Sequence, residues 1–165
     1  MIDLQWRALE DQAAQARLGA VLESWRGTPY MSGQRCKGVG VDCVRFVIAV
    51  FDEMNGTDTP VKTVPGDVAQ HAPEVARAAL ELLLRSFDCS RVREPYLEPG
   101  DVIVTGPNAG GPGHAMIVGA ERRMCWHAAP ATGVCSTSLG IIGMLDQKVF
   151  AAYRMTSRKW GASWS

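Results

Sequence analysis

The chain has 165 residues, enough for one domain with a single hydrophobic core. Basic and acidic residues number 17 each, so no net charge favours nucleic acid or an anionic membrane surface as a partner. No stretch approaches the roughly 20 apolar residues of a membrane span, and the N-terminus lacks the apolar run of a secretory signal peptide. We therefore expect one domain over residues 1–156, a tail over 157–165, and synthesis in the cytoplasm without export.

Two helices are predicted in the first third of the chain. Apolar residues recur at helical spacing over about 9–25, and a breaker at 26–29 and a glycine-rich loop over 30–41 follow. Asp42 is a good N-cap, and residues 43–54 contain neither glycine nor proline before the stop at Asn55-Gly56. Apolar side chains cover most of this second helix, which predicts that it is central and buried.

The second half of the chain changes to a strand pattern. A third helix is predicted over 73–84, and a short connecting helix or loop over 139–147. Short apolar runs separated by turn residues predict strands at 102–104, 115–118, 124–128 and 149–153. Helices followed by strands indicate an α+β domain with an antiparallel sheet.

Cys43 is the candidate nucleophile among five cysteines, which we interpret as free thiols because their number is odd and no export signal is expected. It lies in the first turn of the buried helix, where unpaired N–H groups and the helix dipole favour negative charge. We therefore expect a lowered pKa for its thiol. A small buried core residue is the alternative interpretation.

Two histidines are candidates to assist the cysteine. His114 opens a predicted strand after a glycine-rich loop, where a base can point toward a neighbouring helix N-terminus. His127 lies on the next predicted strand, from which its side chain can approach His114 and orient the ring. His71 has no companion motif and receives no role.

The order of these motifs resembles the NlpC-type cell-wall cysteine peptidases. The matching segments are Thr28-Pro29-Tyr30, Asp42-Cys43 opening an apolar helix, Pro99-Gly100-Asp101-Val102, Gly113-His114 with the run to Val118, and His127-Ala128. The resemblance covers about residues 25–153. It implies a papain-like α+β fold, a Cys-His-His triad and hydrolysis of amide bonds in peptidoglycan stem peptides through a thioester, with no cofactor.

Transferred position by position, the resemblance makes Cys43 the nucleophile, His114 the base and His127 the residue that orients it. Tyr30 is implied beside the thiolate and the oxyanion, and Asp42 as the helix cap and a contact for the substrate's amino group. The family usually has Ser-Gly after Asp-Cys, whereas this chain has Val44-Arg45, and we expect Arg45 to add a charge near the cleft.

The expected lack of an export signal is typical of the short variants carried in phage tails or gene transfer agents. That setting makes tail or baseplate proteins possible partners, with the tryptophan-containing tail over 157–165 as a docking peptide. Three alternatives stay open: a zinc site built from Cys125, His127, Cys135 and Cys36, an inactive structural tail or baseplate component, and an amidase or acyltransferase using the same triad.

Overall fold

The computed structural model describes residues 5–59, 81, 84, 87–93, 95–107, 109–144 and 147–155. Glu81 and Leu84 are helical, and the rest of the helix predicted over 73–84 lies outside the described residues. His71 and the tail over 157–165 also lie outside them. No helix in the described part of the chain is long and apolar enough to cross a membrane.

The two predicted N-terminal helices are present. Helix α1 spans Gln12–Ser24 and starts three residues later than expected, because the Asp11 side chain accepts a hydrogen bond from the backbone N–H of Ala14 and caps the helix there. Helix α2 spans Cys43–Asn55 and ends at Gly56, whose left-handed φ of 66° suits a C-cap glycine. Among its residues only Glu53 and Asn55 are not buried, which confirms that α2 is the central helix.

The strands form one large sheet and two short pairings. Strands β4, β10, β6, β7, β8 and β9 make a six-stranded antiparallel sheet in that order, β1 pairs with β5, and β2 pairs with β3. The bounds are β1 Gln5–Trp6, β2 Arg35–Cys36, β3 Gly40–Val41, β4 Cys89–Arg91, β5 Tyr96–Leu97, β6 Val102–Pro107, β7 His114–Val118, β8 Met124–Ala129, β9 Gly133–Ser138 and β10 Gln147–Met155, with a 3₁₀ helix at Leu139–Met144 between the last two.

The sheet carries a hydrophobic core on each of its faces. Helix α2 packs on β7 and β8, and α1 packs on α2. Alternate residues of β7 divide between the faces, since Ala115 and Ile117 belong to the cluster that contains α2, whereas Met116 and Val118 belong to the other cluster. The α+β fold is therefore confirmed, and the N-terminus of α2 is brought to the start of β7.

Strand β9 was not predicted from the sequence. Its residues Cys135 to Ser138 are small or polar, so the run lacks the apolar alternation by which the other strands are recognised. It forms because β8 offers it a full antiparallel register, from Met124 opposite Ser138 to Ala129 opposite Gly133. This extra edge strand lies beside two of the candidate site residues.

Candidate active site

The loop that carries Tyr30 is held by strands on both sides. Gly27 donates its N–H to the carbonyl of Val134 at 2.9 Å, and Val134 donates back to the carbonyl of Thr28 at 2.8 Å. Gly133 reaches this contact with a φ of 68°, and a Cβ atom there would lie 2.4 Å from the Thr28 oxygen. Strand β9 and the Tyr30 loop can approach this closely only because Gly133 has no side chain.

On its other side the loop pairs with β3. Met31 donates its N–H to the carbonyl of Val41, and Val41 donates to the carbonyl of Pro29, both at 3.0 Å. These bonds place Tyr30 near Cys43 and Asp42. Burial raises the pKa of the phenol to about 12, and the negative charges of Cys43 and Asp42 contribute to the rise. Tyr30 therefore keeps its hydroxyl proton at neutral pH and can act as a hydrogen-bond donor.

Asp42 caps α2 as expected, and its carboxylate is already occupied. It accepts hydrogen bonds from the backbone N–H of Arg45 at 2.8 Å, from the Arg45 guanidinium at 2.6 Å and from the N–H of Gly33 at 2.9 Å. Asp42 is 6% exposed and Arg45 is 5% exposed. The two side chains thus form a buried ion pair at the N-terminus of α2. The substrate contact implied for Asp42 stays a prediction.

Arg45 brings a charge near the site from a buried position. The guanidinium pairs with Asp42 and is buried, and its charge acts on Tyr30, where it opposes the rise of the pKa of the phenol. The i, i+3 spacing brings the two side chains onto one face of α2. Arg45 therefore neutralises the charge of Asp42, the helix cap that precedes Cys43.

The Cys43 thiol lies where the sequence predicts, at the first position of α2, with 9% of the residue exposed. Burial raises the pKa of the thiol to about 11 and outweighs the backbone N–H groups of Ala115, Val44 and Cys43 itself, which favour the thiolate. The Asp42 charge raises it further. The expectation of a lowered pKa was therefore wrong, because desolvation exceeds the stabilisation by the helix N-terminus.

The two candidate histidines are in direct contact. Nε2 of His114 lies 2.7 Å from Nδ1 of His127, and the rings meet edge to face at 79° with centroids 5.0 Å apart. Burial, followed by the nearby His127 charge, lowers the pKa of His114 to about 3, and burial also lowers the pKa of His127. Both imidazoles are neutral at neutral pH.

The start of β7 links the cysteine to the histidines. The backbone N–H of Ala115, the residue after His114, favours the thiolate form of Cys43. Nδ1 of His114 has no hydrogen-bond partner among the described residues, so it is not bonded to the sulfur there. Both the thiol and the imidazole are neutral, and this second nitrogen is available to take a proton.

A further cysteine contacts this group and was assigned no role in the triad from the sequence. Cys135, on β9, lies 3.6 Å from Nε2 of His127 through its sulfur, and the Thr132 hydroxyl lies 3.3 Å from the same sulfur. The contact depends on the register of β9, which the sequence pattern does not predict. The only sequence signal was the spacing of Cys135 behind His127, which had been interpreted as part of a zinc site.

The zinc alternative finds no support in the described part of the chain. The sulfur of Cys125 contacts the sulfur of Met116 and the carbonyl of Thr137, and Cys36 is exposed on β2. No group of three or more histidine, cysteine, aspartate or glutamate side chains among the described residues is arranged to hold a metal ion. Cys135 and His127 approach each other, but no third ligand lies with them in the described part of the chain.

The protonation state of the thiol is directly measurable. We expect the thiolate absorbance of Cys43, taken as the difference between the wild-type and Cys43→Ala ultraviolet spectra, to rise with a midpoint near pH 11, because burial raises that pKa to about 11. Subtracting the variant removes the contributions of the other cysteines and of the tyrosines other than Tyr30, whose pKa depends on Cys43. A midpoint below neutrality would instead show a preformed thiolate–imidazolium pair.

The chain has an α+β fold that is similar to solved structures of NlpC/P60 domains. The NlpC/P60 domain of the peptidoglycan hydrolase SagA matches with a TM-score of 0.52 and 23% identity, over 86% of this chain and 98% of that one. A protein similar to lipoprotein, of the NLP/P60 family, from Staphylococcus aureus matches with a TM-score of 0.58 and 20% identity, over 90% of this chain and 43% of that one.

A eukaryotic protein has a similar structure. NlpC2 from Trichomonas vaginalis matches with a TM-score of 0.59 and 11% identity, over 89% of this chain and 49% of that one. No protein-family model matches the chain, and no curated protein matches it. The likeness to solved structures therefore establishes the fold, while the chain spans less than half of the Staphylococcus and Trichomonas proteins.

Proposed function

We propose that the chain is a cysteine peptidase that hydrolyses amide bonds in peptidoglycan stem peptides. The observation that carries the proposal is the pair of imidazoles 2.7 Å apart at the start of β7, next to the backbone N–H of Ala115 that favours the Cys43 thiolate. The similarity to the domain of a peptidoglycan hydrolase supports the substrate class. A nucleophile, a base and a group that orients the base are the parts that acyl transfer through a covalent intermediate requires.

The Cys43 thiol and the His114 imidazole are both neutral, so the thiol must lose its proton as the sulfur attacks the carbonyl carbon. In this proposal Nδ1 of His114 takes that proton, while Nε2 of His114 stays bonded to His127. The backbone N–H groups of Ala115 and Val44 stabilise the sulfur as negative charge develops on it. The thiolate forms only as the substrate is attacked.

The proposal also assigns groups that stabilise the oxyanion and protonate the leaving group. In this proposal the Cys43 N–H and the Tyr30 hydroxyl, whose raised pKa of about 12 keeps it protonated, donate to the oxyanion. His114 then returns its proton to the leaving amine, which breaks the amide bond and leaves a thioester on Cys43. Water, deprotonated by His114, releases the acid and restores the thiol.

Digestion of purified peptidoglycan tests the proposal. We expect the wild-type protein to release fragments whose masses show hydrolysis of an amide bond within the stem peptide. The Cys43→Ala variant should release none, and Cys36→Ala, which changes an exposed thiol on β2, should match the wild type. Mass spectrometry of the soluble muropeptides identifies the bond.

The other outcomes separate the remaining hypotheses. No release by either protein would contradict the peptidase and favour the structural component, whereas equal release by wild type and Cys43→Ala would contradict the role of Cys43. Cleavage between the sugar and the stem peptide would indicate an amidase, and products joined to an added amine would indicate an acyltransferase. Delivery in a phage tail or gene transfer agent stays a prediction, checked by detecting the chain in purified particles.

A further inference from the structure

We propose that Cys135 is a positioning residue, which fixes the tautomer of His127 and thereby keeps Nδ1 of His114 unprotonated. The proposal rests on the proposed function, because it assigns His114 as the base. It concerns a side chain outside the Cys-His-His triad, on the strand β9 that the triad motifs do not include.

The register of β8 and β9 brings the thiol to the far side of His127. Cys135 pairs directly opposite His127, so both side chains lie on the same face of the sheet. The Cys135 sulfur is 3.6 Å from Nε2 of His127, the nitrogen that faces away from His114. His127 thus has a partner at each ring nitrogen, and the two contacts together constrain both the position and the tautomer of the ring.

The function proposed for His114 determines where the protons lie. A neutral imidazole carries one proton, so if Nδ1 of His114 is the base, Nε2 holds the proton and donates it to Nδ1 of His127. Nδ1 of His127 then accepts, and the single proton of His127 lies on Nε2. That N–H needs an acceptor, and the Cys135 sulfur is the atom beside it.

The hydrogen bonds of Thr132 fit the same direction of proton donation. The Thr132 hydroxyl donates to the carbonyl of Gly133 at 3.4 Å, so its oxygen is left to accept the S–H of Cys135, 3.3 Å away. Each group then donates a hydrogen bond to the next one, in the order His114, His127, Cys135, Thr132 and the Gly133 carbonyl. The reverse sense, with S–H donating to Nε2, would put a proton on Nδ1 of both histidines and remove the base.

Two substitutions of Cys135 separate positioning from packing. Cys135→Ser keeps an acceptor and a donor at the site, whereas Cys135→Ala removes both. We expect Cys135→Ala to lower kcat by about fivefold, the factor that corresponds to the net contribution of one hydrogen bond, with KM unchanged. Cys135→Ser should keep kcat close to the wild-type value, and Cys89→Ala, at another half-buried thiol, is the matched control.

Nitrogen NMR of the histidine rings gives a readout that needs no substrate. We expect His127 in the wild type and in Cys135→Ser to carry its proton on Nε2, and in Cys135→Ala to populate both tautomers. Protonation of His127 on Nδ1 in the wild type, or an unchanged tautomer together with an unchanged kcat in Cys135→Ala, would overturn the proposal. Absence of Cys43-dependent hydrolysis in the wild type would instead overturn the proposed function, and the NMR result would still decide the tautomer.

Discussion

The His114→Gln variant should hydrolyse peptidoglycan fragments about 10²- to 10⁴-fold more slowly in kcat than the wild type, the range that a positioned general base contributes. Glutamine keeps a polar group beside Nδ1 of His127 but cannot take the thiol proton. Because the Cys43 pKa is raised to about 11, little thiolate exists at neutral pH to act without the base. Steady-state kinetics, with circular dichroism to verify folding, measures the loss.

The same variant has a second signature in the pH dependence of stability. Burial and the His127 charge lower the pKa of His114 to about 3 in the folded chain, against about 6.5 in the unfolded chain. Between these values the unfolded chain binds a proton that the folded chain does not, so stability falls as the pH falls from about 6.5 toward 3. The free energy of unfolding, measured with urea, should fall less between about pH 7 and pH 5 in His114→Gln than in the wild type.

An unchanged kcat in His114→Gln would contradict the assignment of His114 as the base. An equal loss of stability on acidification in both proteins would contradict the burial of a neutral His114. The two results are independent, because the kinetic one tests the role of the nitrogen and the thermodynamic one tests only its environment.

The Arg45→Met variant should lose about 3–5 kcal/mol of unfolding free energy, because it leaves the buried Asp42 carboxylate without its guanidinium partner. Methionine fills a similar volume and keeps helix propensity, so lost packing contributes little. The remaining backbone N–H donors from Arg45 and Gly33 hydrogen-bond to the charge without neutralising it. Urea unfolding at neutral pH measures the effect.

Two further variants make this test specific. Combining Arg45→Met with Asp42→Asn removes both charges but keeps a capping side chain, and should recover most of the lost stability. Glu23→Gln breaks the ion pair with Arg26, which has the same i, i+3 spacing but side chains 57% and 47% exposed, and should leave the unfolding midpoint unchanged. A small effect of Arg45→Met would show that the carboxylate is not desolvated.

Much of the site could be predicted because its signals are local. The cap Asp42, the apolar face of α2 and the stop at Gly56 lie within one short segment, and they fix where Cys43 begins the helix. The approach of His127 to His114 follows from two predicted strands that are consecutive along the chain. Local spacing therefore identified the side chains that meet.

The rest depends on packing between distant segments. The Cys43 pKa is set by burial against β7, which the position in the helix does not reveal, and the direction expected from the helix dipole alone was wrong. Arg45 brings its charge near the site as expected, but the buried pair that it forms with Asp42 was not predicted. Cys135 was not included in the triad because β9 has too few apolar residues to be recognised as a strand.

The pairing of Val134 with Gly27 and Thr28 has a consequence for synthesis and folding. It joins residues more than a hundred positions apart, so the Tyr30 loop can form these bonds only after β9 has been synthesised. A nascent chain that has emerged only as far as α2 exposes the sulfur without either imidazole. The proposed site is therefore complete only after the chain has been synthesised as far as β9.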